Sequence, residues 1–441
     1  MGVYFGTDGL RGKANGDLTF NLAYKVGNAL TALKVKPKII IGSDTRISNS
    51  YFTIAVAGGA MSGGAEVVDL GIVPTAGVAY LTKKLKADYG VVVSASHNGA
   101  EYNGIKIFSS KGYKIGDKEE ERLERAFIHE NVNDFPNIGT YRQDFNAVKL
   151  YKEFLIGVAE KALGKSGLKG KTIVLDCANG AAYKIAPEVF KKLGAKVIAT
   201  SASKDGLKIN DSCGALHPEN LSKKVLKYKA DMGFAFDGDS DRLIPVDENG
   251  NVLSGDQIIY GIAIYMKNRG LLKKNAVVGT RHTNVAIEKA LAENKIELIR
   301  TDIGDKYVLE KLVEKDLSIG GEQSGHIIFK DVHTTGDGIL SAIEATIVAV
   351  KENKKFSDLF NIKIYPQTNV DVVVDDKLRV INSEELDEAI ADFNEKFKNS
   401  GRIMIRASGT EPKIRIMVES ENESANKKIA ADFINLIKRI K

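Results

Sequence analysis

The stretch KTIVLDCANGAAYKIAPEVFKKLGAKVIA, residues 171–199, decides the fold. It opens on a short β-branched run and passes through a polar, glycine-containing turn. Apolar residues then recur at helical spacing for about fifteen residues before a second apolar run closes the stretch. Strand, helix and strand at this length make a βαβ unit, which requires a parallel or mixed sheet covered by helices. The same pattern recurs from PKIIIGSDTR to AEVVDLG (37–71) and in NAVVGTRHTNVAIEKALAENKIELIR (275–300). Three copies predict three related α/β domains with mixed sheets.

From Phe360 onward the sequence reads differently. FNIKIYPQTNVDVVVDD and RIMIRASGTEPKIRIMVES are strand-like, while SEELDEAIADFNEKFKNS and ESANKKIAADFINLIKRIK are helical. Strands and helices that alternate without crossover spacing predict a smaller C-terminal α+β domain. The expected division is 1–150, 151–252, 253–366 and 367–441, with the last boundary near Pro366.

Composition agrees with a large folded chain. At roughly 150 residues per domain, 441 residues allow about three domains, and 43% hydrophobic with 27% charged residues excludes a disordered or low-complexity protein. The net charge of +6 is small for this length and is not gathered into a basic block, so no nucleic-acid partner is expected. Two cysteines, Cys177 and Cys213, cannot build a disulfide framework or a four-ligand zinc site, and they point to a reducing compartment. No apolar run reaches the roughly 18 residues of a membrane helix, and MGVYFGTDGLRG lacks the basic and apolar regions of a signal peptide. A cytoplasmic protein without a membrane partner is the expectation.

Five segments carry candidate chemistry. In GFAFDGDSDRLIPVDENGN (233–251), Asp237, Asp239 and Asp241 alternate directly after an apolar strand. Carboxylates this close repel one another, and a hard divalent cation, Mg²⁺ first, keeps them ionised. An EF-hand loop would require glycine where Arg242 stands and helices where both flanks read as strands, so it is rejected. An acidic turn in solvent would not need apolar strands at both ends.

In YGVVVSASHNGAEYNGIKIFS (89–109), a buried-looking strand ends at Ser94, Ala95, Ser96, His97 and Asn98, where α/β folds place ligands. Ser96 is a candidate nucleophile and His97 a candidate partner. No G-x-S-x-G elbow supports a hydrolase, and the segment alone also reads as a polar turn. SIGGEQSGHIIF (318–329) presents Glu322, Ser324 and His326 on a glycine-flexed loop, a donor and acceptor set suited to sugar hydroxyls as well as to an ordinary turn. IMIRASGTEPKIRIMV (403–418) surrounds a turn with Arg406, Ser408, Gly409, Thr410 and Arg415, an anion cradle fitted to phosphate. In FGTDGLRG (5–12), Arg11 could reach a further phosphate. No Walker A or GxGxxG signature supports a nucleotide.

Taken in order, TDGLRG (7–12), SASHN (94–98), DGDSDR (237–242), GEQSGH (321–326) and RASGTEP (406–412) resemble the five signatures of the α-D-phosphohexomutase superfamily. The resemblance spans the chain, including IGSDTRIS (41–48), VPTAGVAYLT (73–82), HPENL (217–221) and GDKYVLEKL (304–312). YFGTDGLRGKAN, GGEQSGHIIF followed by TTGDGIL (334–340), and the RxSGTEPxIR form are most similar to the branch acting on glucosamine phosphates; the alternative is the same chemistry on glucose or mannose phosphates. The more distant alternatives are a Ser-dependent phosphatase and a non-catalytic sugar-phosphate binder.

The resemblance implies four domains around a central cleft. It makes Ser96 the serine that carries a phosphoryl group and a metal ligand with Asp237, Asp239 and Asp241. It makes Glu322 and Ser324 readers of sugar hydroxyls, and Arg406, Ser408, Gly409, Thr410 and Arg415 the grip on the phosphate that is not transferred. Arg11, His97, Lys106, Arg242 and His326 fall near the reacting phosphoryl group, with Lys106 and His326 as acid/base candidates. The implied cofactors are Mg²⁺ and a hexose 1,6-bisphosphate activator, the partner is a small phosphosugar, and a homodimer is among the assemblies left open. Three departures bear on substrate choice: Gly99 where the family writes proline, CGALHPE (213–219), and TRHTN (280–284).

Overall fold

The computed structural model describes all residues except 1–3, 5, 7, 8, 129–137, 398, 399, 409, 410 and 441. Its contacts divide the chain into two compact units, one of residues 1–282 and 299–361, the other of residues 283–298 and 362–441.

In the first unit, β1 (Leu10–Lys13), β2 (Lys38–Ser43), β3 (Glu66–Ile72), β4 (Tyr89–Val93), β5 (Tyr102–Ser109) and β6 (Thr140–Gln143) form one mixed sheet in the order β1-β5-β4-β2-β3-β6. β4, β2, β3 and β6 run parallel, while β5 and β1 add antiparallel at one edge. The continuous apolar character of IIIG and GVVV follows from burial on both faces. Ile39, Ile41, Val91 and Val93 face the helices Phe20–Leu33 and Asn49–Ser62, and the alternate residues Ile40 and Val92 are equally buried on the other face. Each such side chain contributes roughly 1.5–3 kcal/mol through burial.

The second sheet takes β7 (Thr172–Asp176), β8 (Lys196–Thr200), β9 (Met232–Phe236) and β10 (Leu243–Asp247) in the order β10-β9-β7-β8, with β10 antiparallel. The third takes β11 (Ala276–Thr280), β12 (Glu297–Thr301), β13 (Ile319–Gly321) and β14 (Ile327–Phe329) in the order β12-β11-β13-β14. The three βαβ units expected at 37–71, 171–199 and 275–300 are present as β2-helix-β3, β7-helix-β8 and β11-helix-β12.

In the second unit, β15 (Gln367–Val373), β16 (Gly401–Ala407) and β17 (Lys413–Ser420) form an antiparallel sheet in the order β15-β17-β16. The helices Glu384–Lys396 and Glu423–Arg439 cover it, and Val372, Leu386, Phe393, Ile416, Phe433 and Ile437 fill the core between. One local expectation is corrected: the apolar run FNIKIY is not a strand, and regular pairing begins only at Gln367. Tyr365 instead exchanges both backbone hydrogen bonds with the Asn284 side chain, donating N–H to Oδ1 at 3.0 Å and accepting from Nδ2 at 2.9 Å.

Candidate functional site

Two strand ends and a hairpin meet in the first unit. β4 ends at Val93 and releases Ser94–Asn98, β9 ends at Phe236 and releases the aspartate loop, and the β13–β14 hairpin carries residues 322–326. The first two loops touch closely: a Cβ on Gly238 would come within 2.5 Å of the Ser96 carbonyl oxygen, so only glycine fits there. Likewise Gly325, at φ 90°, lies where a Cβ would come within 2.1 Å of the Leu243 carbonyl oxygen and press the hairpin off β10.

Ser96 is buried and left-handed, with φ 53°. That conformation costs a non-glycine residue on the order of 1 kcal/mol or more and marks a site held by its surroundings. Its hydroxyl donates to Asp237 Oδ2 at 2.6 Å and lies 3.3 Å from His97 Nδ1. Burial first, then Arg242 and Arg11, lower the His97 pKa to about 4, so its imidazole is neutral at physiological pH.

Asp237, Asp239 and Asp241 are buried and each offers an oxygen within 4.8 Å of the others. Asp239 Oδ2 accepts from Thr75 Oγ1 at 2.6 Å and from Lys106 Nζ at 2.7 Å, and Lys106 reaches Asp241 Oδ2 at 3.0 Å. The Arg242 backbone N–H donates to Asp237 Oδ1 at 3.2 Å. Burial and the two neighbouring carboxylates push Asp237 well above the ordinary carboxylate range. Burial acts on Asp241 in the same sense, but Lys106 and His326 outweigh it and hold Asp241 well below that range. Asp239 Oδ1 is buried and accepts no hydrogen bond from the described residues. A buried carboxylate oxygen without a donor, among three carboxylates on one loop, fits a hard divalent cation.

Lys106 is placed on β5, opposite Val92 of β4. Arg11 sits on β1 opposite Gly104 and donates through Nη1 to Asn98 Oδ1 at 3.2 Å. His326 is buried with Nδ1 at 3.7 Å from Asp241 Oδ1 and Nε2 at 3.4 Å from Asp305 Oδ2. Burial disfavours its charged form, yet Asp305 and Asp241 outweigh burial and raise its pKa. Glu322 Oε1 accepts the Gly304 N–H at 3.0 Å, and burial raises its carboxyl pKa. Ser324 is half-buried on the same turn.

The remaining expected residues belong to the second unit. Arg406 and Arg415 stand directly opposite on β16 and β17, and the buried Ser408 follows β16, accepting through Oγ from the Glu411 N–H at 3.3 Å. Two guanidinium groups facing each other across a ladder repel unless anions lie near. Arg415 meets Glu411 at 3.4 Å and Asp371 at 4.0 Å. Gly409 and Thr410 lie outside the described residues.

Several residues of the first-unit cluster carried no role in the sequence reading. Thr75 binds Asp239, and Asp305 joins His326 to the Lys114 ammonium. Gly336 donates its N–H to His326 Nε2 at 3.2 Å, and Gly338 donates to the Ser240 carbonyl at 2.9 Å. Asp44 and Arg46 hold the Ser96 loop from behind. The signals were IGSDTRIS, VPTAG and TTGDGIL, which stood out only as accompaniments of the five signatures.

Comparison with known proteins matches four family models in chain order. These are phosphoglucomutase/phosphomannomutase alpha/beta/alpha domain I over residues 2–133, domain II over 150–250 and domain III over 254–365, then the C-terminal domain over 368–436. A phosphoglucosamine mutase of Caldanaerobacter subterraneus subsp. tengcongensis is 46% identical over 449 residues, covering 100% of this chain and 99% of its own. Among solved structures, a phosphoglucomutase/phosphomannomutase family protein of Burkholderia thailandensis superposes with a TM-score of 0.81 at 24% identity, over 97% of this chain and 95% of its own. An Aspergillus fumigatus N-acetylphosphoglucosamine mutase, solved with GlcNAc-6P and magnesium, superposes with a TM-score of 0.66 at 18% identity, over 98% and 95%. The serine at a strand end, the three aspartates and all four domain models agree: this chain belongs to the phosphoglucomutase/phosphomannomutase family of α-D-phosphohexomutases.

Proposed function

We propose that this chain interconverts glucosamine 6-phosphate and glucosamine 1-phosphate in the cytoplasm, through a phosphoserine at position 96. The family makes it an intramolecular phosphotransferase, and the choice of sugar rests on curated phosphoglucosamine mutases 43–46% identical over essentially the whole chain. The observation that carries the reaction type is the Ser96 hydroxyl, 2.6 Å from a carboxylate of the aspartate cluster and beside a buried lysine that binds the other two. The four-part division at 150, 252 and 366 belongs to the same proposal, and the matched family ranges support it.

In the proposed chemistry, Asp237, Asp239, Asp241 and Ser96 would hold Mg²⁺, which would supply charge neutralisation for phosphoryl transfer. Arg11, His97, Lys106 and Arg242 bind and orient the phosphoryl group, so that attack comes in line with the bond to Ser96 Oγ. The free sugar hydroxyl attacks phosphorus, the P–Oγ bond breaks, and the hydroxyl proton passes to whichever of Lys106 and His326 is in its neutral form. Glu322 and Ser324 orient the sugar hydroxyls. Arg406, Ser408, Gly409, Thr410 and Arg415 grip the phosphate already present. The resulting 1,6-bisphosphate turns over and returns its other phosphate to Ser96, and the same bisphosphate serves as activator when Ser96 is bare.

The test is turnover of glucosamine, glucose and mannose 6-phosphates with Mg²⁺ and glucose 1,6-bisphosphate, on the wild type and Ser96→Ala. Glucosamine 6-phosphate is expected to be preferred, and Ser96→Ala to lose isomerisation. A preference for mannose 6-phosphate gives the runner-up substrate, and phosphate release as fast as isomerisation gives a phosphatase.

A further inference from the structure

We propose that the buried pair Asp44–Arg46, just beyond β2, is the positioning element of the Ser96 loop. Asp44 is 1% exposed and Arg46 2%. All five guanidinium N–H groups have acceptors: Nε binds Asp44 Oδ2 at 2.9 Å, Nη1 binds the carbonyls of Tyr102 at 3.0 Å and of Gly99, and Nη2 binds those of Ser96 at 3.0 Å and Asn98 at 2.8 Å. Asp44 holds the other side of the same residue. Its Oδ2 accepts from Ser94 Oγ at 2.5 Å, and Ser94 Oγ accepts the Ser96 N–H at 2.9 Å. Arg46 N–H and Asn49 Nδ2 occupy Asp44 Oδ1 at 2.8 and 2.7 Å. Both backbone polar groups of Ser96 are therefore tied to one ion pair.

The arrangement bears on phosphoryl transfer in two ways, and it rests on the reading of Ser96 as the phosphoryl carrier. First, it fixes a left-handed serine in a loop where Gly99 stands in place of a rigid proline, so the loop takes its rigidity from contacts. Second, it turns the carbonyls of Ser96, Asn98 and Gly99 towards a cation. A carbonyl oxygen left facing a phosphoryl group would repel it, whereas these dipoles are neutralised away from the anion. Asn210 reinforces the grip, donating through Nδ2 to the same carbonyls of Ser96 at 2.9 Å and Asn98 at 3.0 Å. Lysine cannot replace this fork, because a point ammonium has three donors for five acceptors.

The test compares Arg46→Lys, Ser94→Ala and wild type as full-length proteins. Thermal midpoint, kcat and KM for glucosamine 6-phosphate, and the rate at which Ser96 acquires a phosphoryl group from glucose 1,6-bisphosphate (by intact mass) are measured together. Arg46→Lys is expected to lower kcat and the phosphorylation rate about 10- to 100-fold, with KM within about threefold, because a misplaced nucleophile weakens only the transition state. Ser94→Ala removes one hydroxyl, keeps the ion pair and folds; it is expected to lower kcat about tenfold with KM unchanged. Phosphorylation rates and kcat within twofold of wild type in either folded variant overturn the inference, as do losses confined to KM or to the thermal midpoint. A wild type that never takes a phosphoryl group on Ser96 overturns the mutase reading itself, a result distinct from equal phosphorylation of wild type and variants.

Discussion

Asp239 has one oxygen, Oδ2, held by Thr75 and Lys106, while its Oδ1 is buried without a donor among the described residues. Asp239→Asn keeps the side-chain shape but replaces one hard anionic oxygen. Mg²⁺ affinity is expected to fall at least about tenfold by calorimetric titration, with the thermal midpoint little changed; an unchanged Kd would exclude Asp239 as a ligand. At Gly99 the prediction runs towards stability. Its φ is not left-handed, its N–H has no acceptor among the described residues, and the nearest atoms a Cβ there would meet belong to the flexible carboxylate end of Glu101, at 2.5 Å, which must move aside. Gly99→Pro should therefore raise unfolding free energy by about 0.4–1 kcal/mol in denaturant titration by restricting the unfolded chain. A loss of stability would mean that Glu101 cannot move aside. At this scale the aspartate triad was legible because three ligands alternate on one short loop. Asp44 and Arg46 were not, because their link to the Ser96 loop spans about fifty residues and, at Arg46, runs to backbone carbonyls that no residue type announces.

Among the elements, the helix Gly338–Glu352 starts at the cluster, its Gly338 N–H bound to the Ser240 carbonyl. Asp337 caps it, accepting the Leu340 N–H at 3.0 Å, and accepts from the Tyr151 hydroxyl at 2.7 Å. Burial is the largest influence on Asp337 and raises its pKa from 3.8 to about 6. The folded state thus binds this proton more tightly than the unfolded chain. The associated stability is fully present below about pH 4 and is lost as pH rises through 6. Asp337→Asn keeps a capping oxygen and removes the titration. Its stability relative to wild type should therefore rise between pH 4 and 6.5, by on the order of 1–3 kcal/mol, and then level off. A difference independent of pH in denaturant titrations would refute the assignment. The βαβ units were legible because their first strands, β2, β7 and β11, are buried on both faces and read as continuous apolar runs. FNIKIY misled because its apolar alternation imitates a strand, whereas the backbone of Tyr365 bonds to the Asn284 side chain, a partner eighty-one residues distant.

Across the whole molecule, the second unit is assembled from two separate pieces of chain. Asn284 caps the helix Val285–Glu293, accepting the Ala286 N–H at 3.1 Å, and the Val285 N–H donates to Glu419 Oε1. The departure at TRHTN thus has a structural role at Asn284, while Arg281 pairs with Asp302 at 3.0 Å. The core of Val372, Leu386, Phe393, Ile416 and Phe433 lies wholly within residues 362–441. A fragment of those residues should fold with a cooperative thermal transition of only a few kcal/mol, as expected for a domain of about eighty residues. Its β17 amides should exchange slowly except near Glu419, which loses its Val285 donor. A non-cooperative melt would show that residues 283–298 are required for the core itself. The four-domain composition was legible in the sequence, but this interleaving was not, because the helix Val285–Glu293 has the spacing of any crossover helix in a βαβ unit.

The same interleaving sets an order of events during synthesis. A ribosome adding about 5–20 residues per second delivers residues 283–298 several seconds before residues 362–441 exist. In that interval Asn284 and Val285 have no Tyr365 or Glu419 to bind, so the nascent chain exposes a helix start whose partners are not yet made. The last eighty residues supply partners to a helix start made much earlier, and a message truncated after residue 361 deprives Asn284 of Tyr365 and Val285 of Glu419.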